Sequence, residues 1–184
     1  MAMPPINPTQ AMGLFAFFLT AALAALAART HRGRNRWVWA VLAMTYALFL
    51  LEVSIGMRHA MHDIVNARLL RAGYYANRLA LQGALALVLV ASLVGAAASM
   101  RQAPLSNWLA GARARTAAVG TLGVALLFAL ELISLHQIDA VLYANAGPVA
   151  VIGWLWAAAA AITSTSACFT LRRQRGQHNS AHTR

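Results

Sequence analysis

Carboxylate and imidazole side chains gather in two short stretches of an otherwise apolar chain. The stretch FALELISLHQIDAVLYANAGP, from Phe128 to Pro148, carries Glu131, His136 and Asp139. The other stretch, LLEVSIGMRHAMHD, carries Glu52, His59, His62 and Asp63. The two stretches hold all four acidic residues of the chain, so the placement of these residues beside histidines needs a physical explanation.

Carboxylates and imidazoles are the ligands that transition metals find in helical proteins. Such groups projecting from facing helices hold iron or manganese, and three of them with an open position hold catalytic zinc. A haem would need two of His59, His62 and His136 to face one cavity. The sequence contains neither Glu-x-x-His nor His-Glu-x-x-His, so a structural or proton-handling cluster is the alternative to a metal or haem.

Composition indicates an integral membrane protein. The 184 residues are 60% hydrophobic and only 10% charged, with a mean hydropathy of +0.60. All fifteen basic residues are arginines, and they give a net charge of +11. They occur in short clusters between apolar runs, which argues against nucleic-acid binding. The single cysteine, Cys168, excludes an intramolecular disulfide.

Five apolar runs have the length of about 20 residues that a bilayer requires, which predicts an all-α protein with five transmembrane helices. The predicted spans are Ala11 to Ala28, Trp37 to Met57, Leu79 to Met100, Thr116 to Leu135 and Pro148 to Leu171. The first run is not read as a signal peptide, because no positive charge precedes it. Pro148 is expected in the first turn of the last helix.

The distribution of the arginines predicts the orientation. Eleven of the fifteen lie in residues 29–36, in residues 101–115 and in the polar tail 172–184, which an odd number of spans places on one side. Under the positive-inside rule that side is the cytoplasm, so we expect a bacterial inner-membrane protein with a periplasmic N-terminus. The tail has no apolar periodicity and is expected to be a disordered cytoplasmic segment.

Spans two to five have the order expected of two tandem hairpins that follow an N-terminal helix. Each hairpin has an apolar helix ending in Glu and Ser, then His, then Asp, then Tyr-Ala-Asn, then another apolar helix. The tripeptides are residues 75–77 and 143–145. The pattern predicts a parallel pseudo-repeat in which Glu52 and Glu131 approach each other, with the first helix packed outside this four-helix core.

The acids of the second hairpin lack a basic residue nearby in the sequence. Arg58 can pair with Glu52 or Asp63, but no arginine occurs between Arg115 and Arg172. Acids in a membrane helix without a local counter-ion are candidates for function. We therefore predict a periplasmic site between spans two and four, formed by the seven residues Glu52, His59, His62, Asp63, Glu131, His136 and Asp139.

Two functions are compatible with this site. In the first, it holds a transition metal or haem for redox or hydrolytic chemistry, with His59, His62 and His136 as the haem candidates and Tyr75 and Tyr143 as supporting groups. In the second, the chain is a non-enzymatic membrane subunit or assembly factor, and the cluster is a polar lock between hairpins. The expected partners are the lipid bilayer and either other membrane subunits or a second copy of this chain.

Overall fold

The computed structural model describes residues 7–56, 112–133 and 136–182, with seven isolated positions between 64 and 91. Its elements in chain order are α1 (Pro8–Thr30), α2 (Arg34–Ile55), α3 (Ala112–Ile133), α4 (His136–Leu142), β1 (Asn145–Ala146), β2 (Val149–Ala150) and α5 (Val151–His182). Within these ranges, α1, α2, α3 and α5 are long and apolar enough to cross a membrane. A mainly helical chain with membrane-length helices is thus confirmed, while the span predicted at 79–100 lies outside the described residues except for Leu87 and Ala91.

Local sequence signals determine where α1 begins and where α2 ends. The side chain of Asn7 accepts a hydrogen bond of 2.7 Å from the backbone N–H of Gln10, and Pro8 occupies the first helical position. Helix α2 ends at Ile55, and the capping residue Gly56 adopts the left-handed conformation and donates its N–H to the carbonyl of Glu52. Glycine accepts that conformation without a Cβ penalty, so the helix stops one turn after Glu52.

Helix α1 lies at the centre of the described bundle. It packs along both α2 and α5, and α3 packs mainly on α5. Phe17 of α1 is fully buried, with its ring 5.8 to 6.0 Å from the rings of Tyr46, Phe49, Phe128 and Trp156. The prediction that the first helix packs outside the core is therefore wrong. Its even mixture of alanine and large apolar residues gives no sequence signal for the face that is buried.

A two-stranded antiparallel hairpin precedes the last helix. Ala146 pairs with Val149 across Gly147 and Pro148, and the N–H of Val151 donates to the carbonyl of Ala144. Gly147 has a φ of 76°, a value that glycine adopts readily. Pro148 is thus a turn residue, and the expectation that it begins the last helix is wrong, because α5 begins at Val151.

Helix α5 continues to His182, through most of the segment that we expected to be disordered. Extending an existing helix adds one hydrogen bond for each residue fixed and avoids the cost of nucleation. Arginine and glutamine are good helix formers, and basic side chains are favourable near a helix C-terminus. The polar segment therefore follows the apolar one without a break.

The two ends of the bundle differ in charge. One end, called here the arginine end, combines the end of α1, the start of α2, the start of α3 and the last turns of α5, and its exposed arginines are Arg29, Arg32, Arg36, Arg113, Arg115, Arg172 and Arg173. The opposite end, called the acidic end, contains Glu52, Glu131 and Asp139. Helices α2 and α3 both run from the arginine end to the acidic end.

Candidate functional site at the acidic end

Glu131 is the most enclosed acidic residue that the structure describes. Only 7% of its surface is exposed, and the Tyr143 hydroxyl donates a hydrogen bond of 2.6 Å to its Oε1. Tyr143 follows α4 in the sequence, so this bond joins the last turn of α3 to the connection before the hairpin. Tyr143 thus lies beside Glu131, and its expected role as a supporting group of a bound metal or haem stays a prediction. A hydrogen bond to an ionised carboxylate is shorter and stronger than one between neutral groups.

Glu52 and Glu131 have matching positions on two parallel helices. The rings of Phe49 and Phe128 stack with their centroids 5.0 Å apart, and each phenylalanine precedes its glutamate by three residues. Three residues advance a helix by about 4.5 Å, so both carboxylates follow the stacked rings by almost one turn. Glu52 is half-buried, and its Oε2 is shielded from solvent.

Sequence reasoning missed the two phenylalanines. The signal was present as FLLE at 49–52 and FALE at 128–131, two copies of Phe-x-x-Glu. This local match relates α2 to α3 more directly than the order Glu, Ser, His, Asp. The tandem repeat as a whole stays a prediction, because Tyr75 to Asn77 of the first copy lie outside the described residues.

The remaining predicted site residues divide into two groups. Asp139 lies on α4, is half-buried and accepts the N–H of Tyr143 at its backbone carbonyl. His136 is the first residue of the same helix. The other members, His59, His62 and Asp63, lie outside the described ranges, as does Arg58. Among the described residues, no group of three or more histidine, cysteine, aspartate or glutamate side chains is placed to hold a metal.

A cavity of about 560 Å³ opens beside this cluster. It lies between the start of α1, the end of α2 and the hairpin. Its polar lining comes from Asn7, Thr9, Gln10, Ser54, Tyr143 and Asn145. Tyr143 lines the cavity with a side chain that is 46% exposed and bonds Glu131 through its hydroxyl. The phenol therefore separates the buried carboxylate from the cavity.

Three further side-chain bonds fasten the hairpin and the helix ends together. The Thr9 hydroxyl accepts the backbone N–H of Ala150 at 2.9 Å, and the Gln10 amide donates to the carbonyl of Val53 at 3.0 Å. The Trp154 indole N–H donates to the carbonyl of Ala146 at 3.0 Å. The Ser54 hydroxyl donates to the carbonyl of Leu50 in its own helix. The acidic end is thus a network of bonds between elements.

A second polar cluster lies near the middle of the membrane-length helices and was missed by sequence reasoning. The buried Tyr46 hydroxyl donates to Thr163 Oγ1 at 2.9 Å, and the Thr163 hydroxyl donates to the carbonyl of Ala117 at 2.9 Å. Thr20 and Ser164 share a hydrogen bond of 2.7 Å. Isolated hydroxyl residues in apolar helices are too common to single out in one sequence. We call these four side chains the hydroxyl cluster.

The described residues form a mainly helical bundle in which four helices are long and apolar enough to cross a membrane. No protein-family model matches the chain, and no curated protein or solved structure is significantly similar to it.

Proposed function

We propose that this chain is a non-enzymatic subunit or assembly factor of a bacterial inner membrane, in which the acidic cluster is a structural polar lock. The hydrogen bond from Tyr143 to the enclosed Glu131 carries this proposal, because it joins two separate elements through a buried carboxyl group. In the proposed orientation the acidic end faces the periplasm and the arginine end faces the cytoplasm.

The lock has a clear physical task at this end of the bundle. Residues 143–148 of this connection are exposed, and only Val149 and Ala150 at its end are buried. Its position therefore depends on the bonds of Tyr143, Ala150 and Trp154 to α3, α1 and the hairpin backbone. A rigid connection presents a defined surface, and a partner subunit binds such a surface at lower entropic cost than a mobile one.

A bound metal is the second candidate, favoured by the matching positions of Glu52 and Glu131. Two carboxylates at one level on parallel helices repel each other in a medium of low dielectric constant, and a shared cation or proton relieves that repulsion. Carboxylates that project inward from neighbouring helices are the usual ligands of metals in helical bundles. Asp139 and His136 on α4 are the nearest further ligands in the sequence.

Thermal unfolding of the purified chain in mild detergent, with and without a chelator, separates the two candidates. The lock predicts that chelation leaves the unfolding temperature unchanged and that Glu131→Gln lowers it. It also predicts weaker recovery of co-purifying membrane subunits with Glu131→Gln than with the wild type. Stoichiometric metal that is lost on chelation, together with a chelator effect abolished by Glu131→Gln, would reject the lock in favour of the metal site.

A further inference from the structure

The arginine end has no acidic residues in the segments that form it. Its seven described arginine side chains are all exposed. The sequence contains no aspartate or glutamate within residues 1–51, 101–130 or 140–184, the stretches that supply all seven. Glu52, Glu131 and Asp139 lie at the opposite end of the helices. The counter-ions of these guanidinium groups must therefore come largely from outside these segments.

Close packing brings the arginines of four helices to one surface. The core directly beneath this surface consists mainly of small buried residues. Its members are Ala24, Ala27, Ala28, Ala117 and Ala167, together with Trp39 and Leu42. The Gln174 amide donates to the carbonyl of Thr30 at 3.3 Å, which fastens α5 to the end of α1. Small side chains let helices approach closely, so the guanidinium groups surround a compact end.

The arginines lie where the apolar parts of the helices end. The membrane-length segments are Pro8–Thr30, Asn35–Ile55, Ala112–Glu131 and Val151–Gln174, and the seven arginines lie within a few residues of the ends of these segments. Trp37, which is 71% exposed, lies at the same level. Exposed tryptophan is enriched where membrane helices meet the headgroup layer. The positive surface is therefore placed at the depth of lipid phosphates.

We propose that the arginine end is a binding surface for anionic phospholipid headgroups. The guanidinium group matches the phosphate diester with two parallel N–H···O bonds, a geometry that a lysine ammonium does not provide. Basic residues clustered between membrane helices bind anionic lipids in this way. The inference is independent of the polar lock, because the two surfaces lie at opposite ends of the helices and share no residue.

Native mass spectrometry of the detergent-purified chain tests this proposal with defined lipids. Equal amounts of phosphatidylglycerol and phosphatidylcholine are added to the wild type, to a variant with Arg113, Arg115, Arg172 and Arg173 changed to glutamine, and to a control with Arg68→Gln and Arg71→Gln. The control removes two exposed arginines from the connection after α2. A third variant changes Arg113, Arg115, Arg172 and Arg173 to lysine, which keeps the charge.

The wild type and the control are expected to retain phosphatidylglycerol several-fold more than phosphatidylcholine. The lysine variant is expected to keep a smaller preference, because the ammonium groups keep the charge but lose the paired N–H···O geometry. The glutamine variant is expected to lose this preference, and higher salt should weaken the preference in the wild type. Equal retention of both lipids by the wild type would overturn the proposal. So would unchanged retention by the glutamine variant, a loss in the control as large as in that variant, or complete displacement of the lipid by inorganic phosphate.

Discussion

The Tyr46 hydroxyl lies in the part of the bundle where an unsatisfied polar group is most costly. It is fully buried and donates to Thr163. Thr163 in turn donates to a backbone carbonyl of α3. The chain of bonds that starts at Tyr46 ends on that carbonyl and connects α2, α5 and α3.

Replacing Thr163 by valine should weaken the bundle, because it removes a hydroxyl that accepts from Tyr46 and donates to the carbonyl of Ala117. Hydrogen bonds between membrane helices contribute about 0.6 kcal/mol on average and about 1.7 at most, so a loss in that range is expected. Unfolding in mixed detergent micelles measures it. Thr165→Val is the matched control, since Thr165 is exposed and bonds only its own helix. Equal effects of the two changes would contradict the role assigned to Thr163.

At the scale of elements, the contact between α3 and α5 depends on one glycine. A Cβ at Gly120 would lie 2.6 Å from the carbonyl oxygen of Ala159 and 2.7 Å from Thr163 Oγ1. Backbone atoms cannot move away from such a clash without shifting a helix. At Gly123, one turn further along α3, the nearest atom is the Cβ of Ala159 at 3.5 Å, an ordinary contact distance.

Gly120→Ala is therefore expected to reduce the free energy of unfolding by about 1 to 3 kcal/mol, the usual range for overpacking. Gly123→Ala should be neutral or slightly stabilising, because alanine favours a helix by about 1 kcal/mol over glycine. The same detergent unfolding experiment compares the two. If Gly123→Ala proved the more damaging change, the close approach of α3 and α5 at Gly120 would be wrong.

The elements show how far the sequence determines the fold. A run of about 20 apolar residues is a property of each segment alone, so the membrane-length helices α1, α2, α3 and α5 could be predicted. Which helix lies at the centre depends on how their faces fit together. Phe17 does not differ from Phe15 or Phe18 in type, yet it alone of the three is fully buried. The central position of α1 therefore could not be read from the sequence.

The candidate site was predictable in its residue types and only partly in its geometry. Glu131, Asp139 and Tyr143 were visible as rare polar groups beside an apolar helix. The hairpin beside the cavity turns at Gly147 and Pro148. The same two residues could also precede a helix directly, so the sequence does not show which of the two structures forms. The bond between Tyr143 and Glu131 spans twelve residues and two elements, so no local pattern predicts it.

At the scale of the whole molecule, the separation of charge predicts a single orientation in the membrane. Ala140 is exposed on α4 at the acidic end, and Ala112 is exposed at the start of α3 at the arginine end. On a Cys168→Ala background, Ala140→Cys should react with a membrane-impermeant maleimide added to cells whose outer membrane is permeabilised. Ala112→Cys should react only after lysis, because arginine-rich connections are retained in the cytoplasm. The reverse labelling pattern would show that the proposed orientation is wrong.

The polar lock itself is tested most directly by a double-mutant cycle on Glu131 and Tyr143. Glu131→Gln, Tyr143→Phe and the double variant are unfolded in mixed micelles beside the wild type. A coupling energy of about 1 to 2 kcal/mol is expected, the range for a hydrogen bond to a charged group after allowance for membrane surroundings. Glu131→Gln combined with Trp154→Phe should be additive, because Trp154 bonds the hairpin backbone. If Glu131→Gln and Tyr143→Phe add to within about 0.3 to 0.5 kcal/mol, the two residues do not act together and the acidic end is not held by this lock.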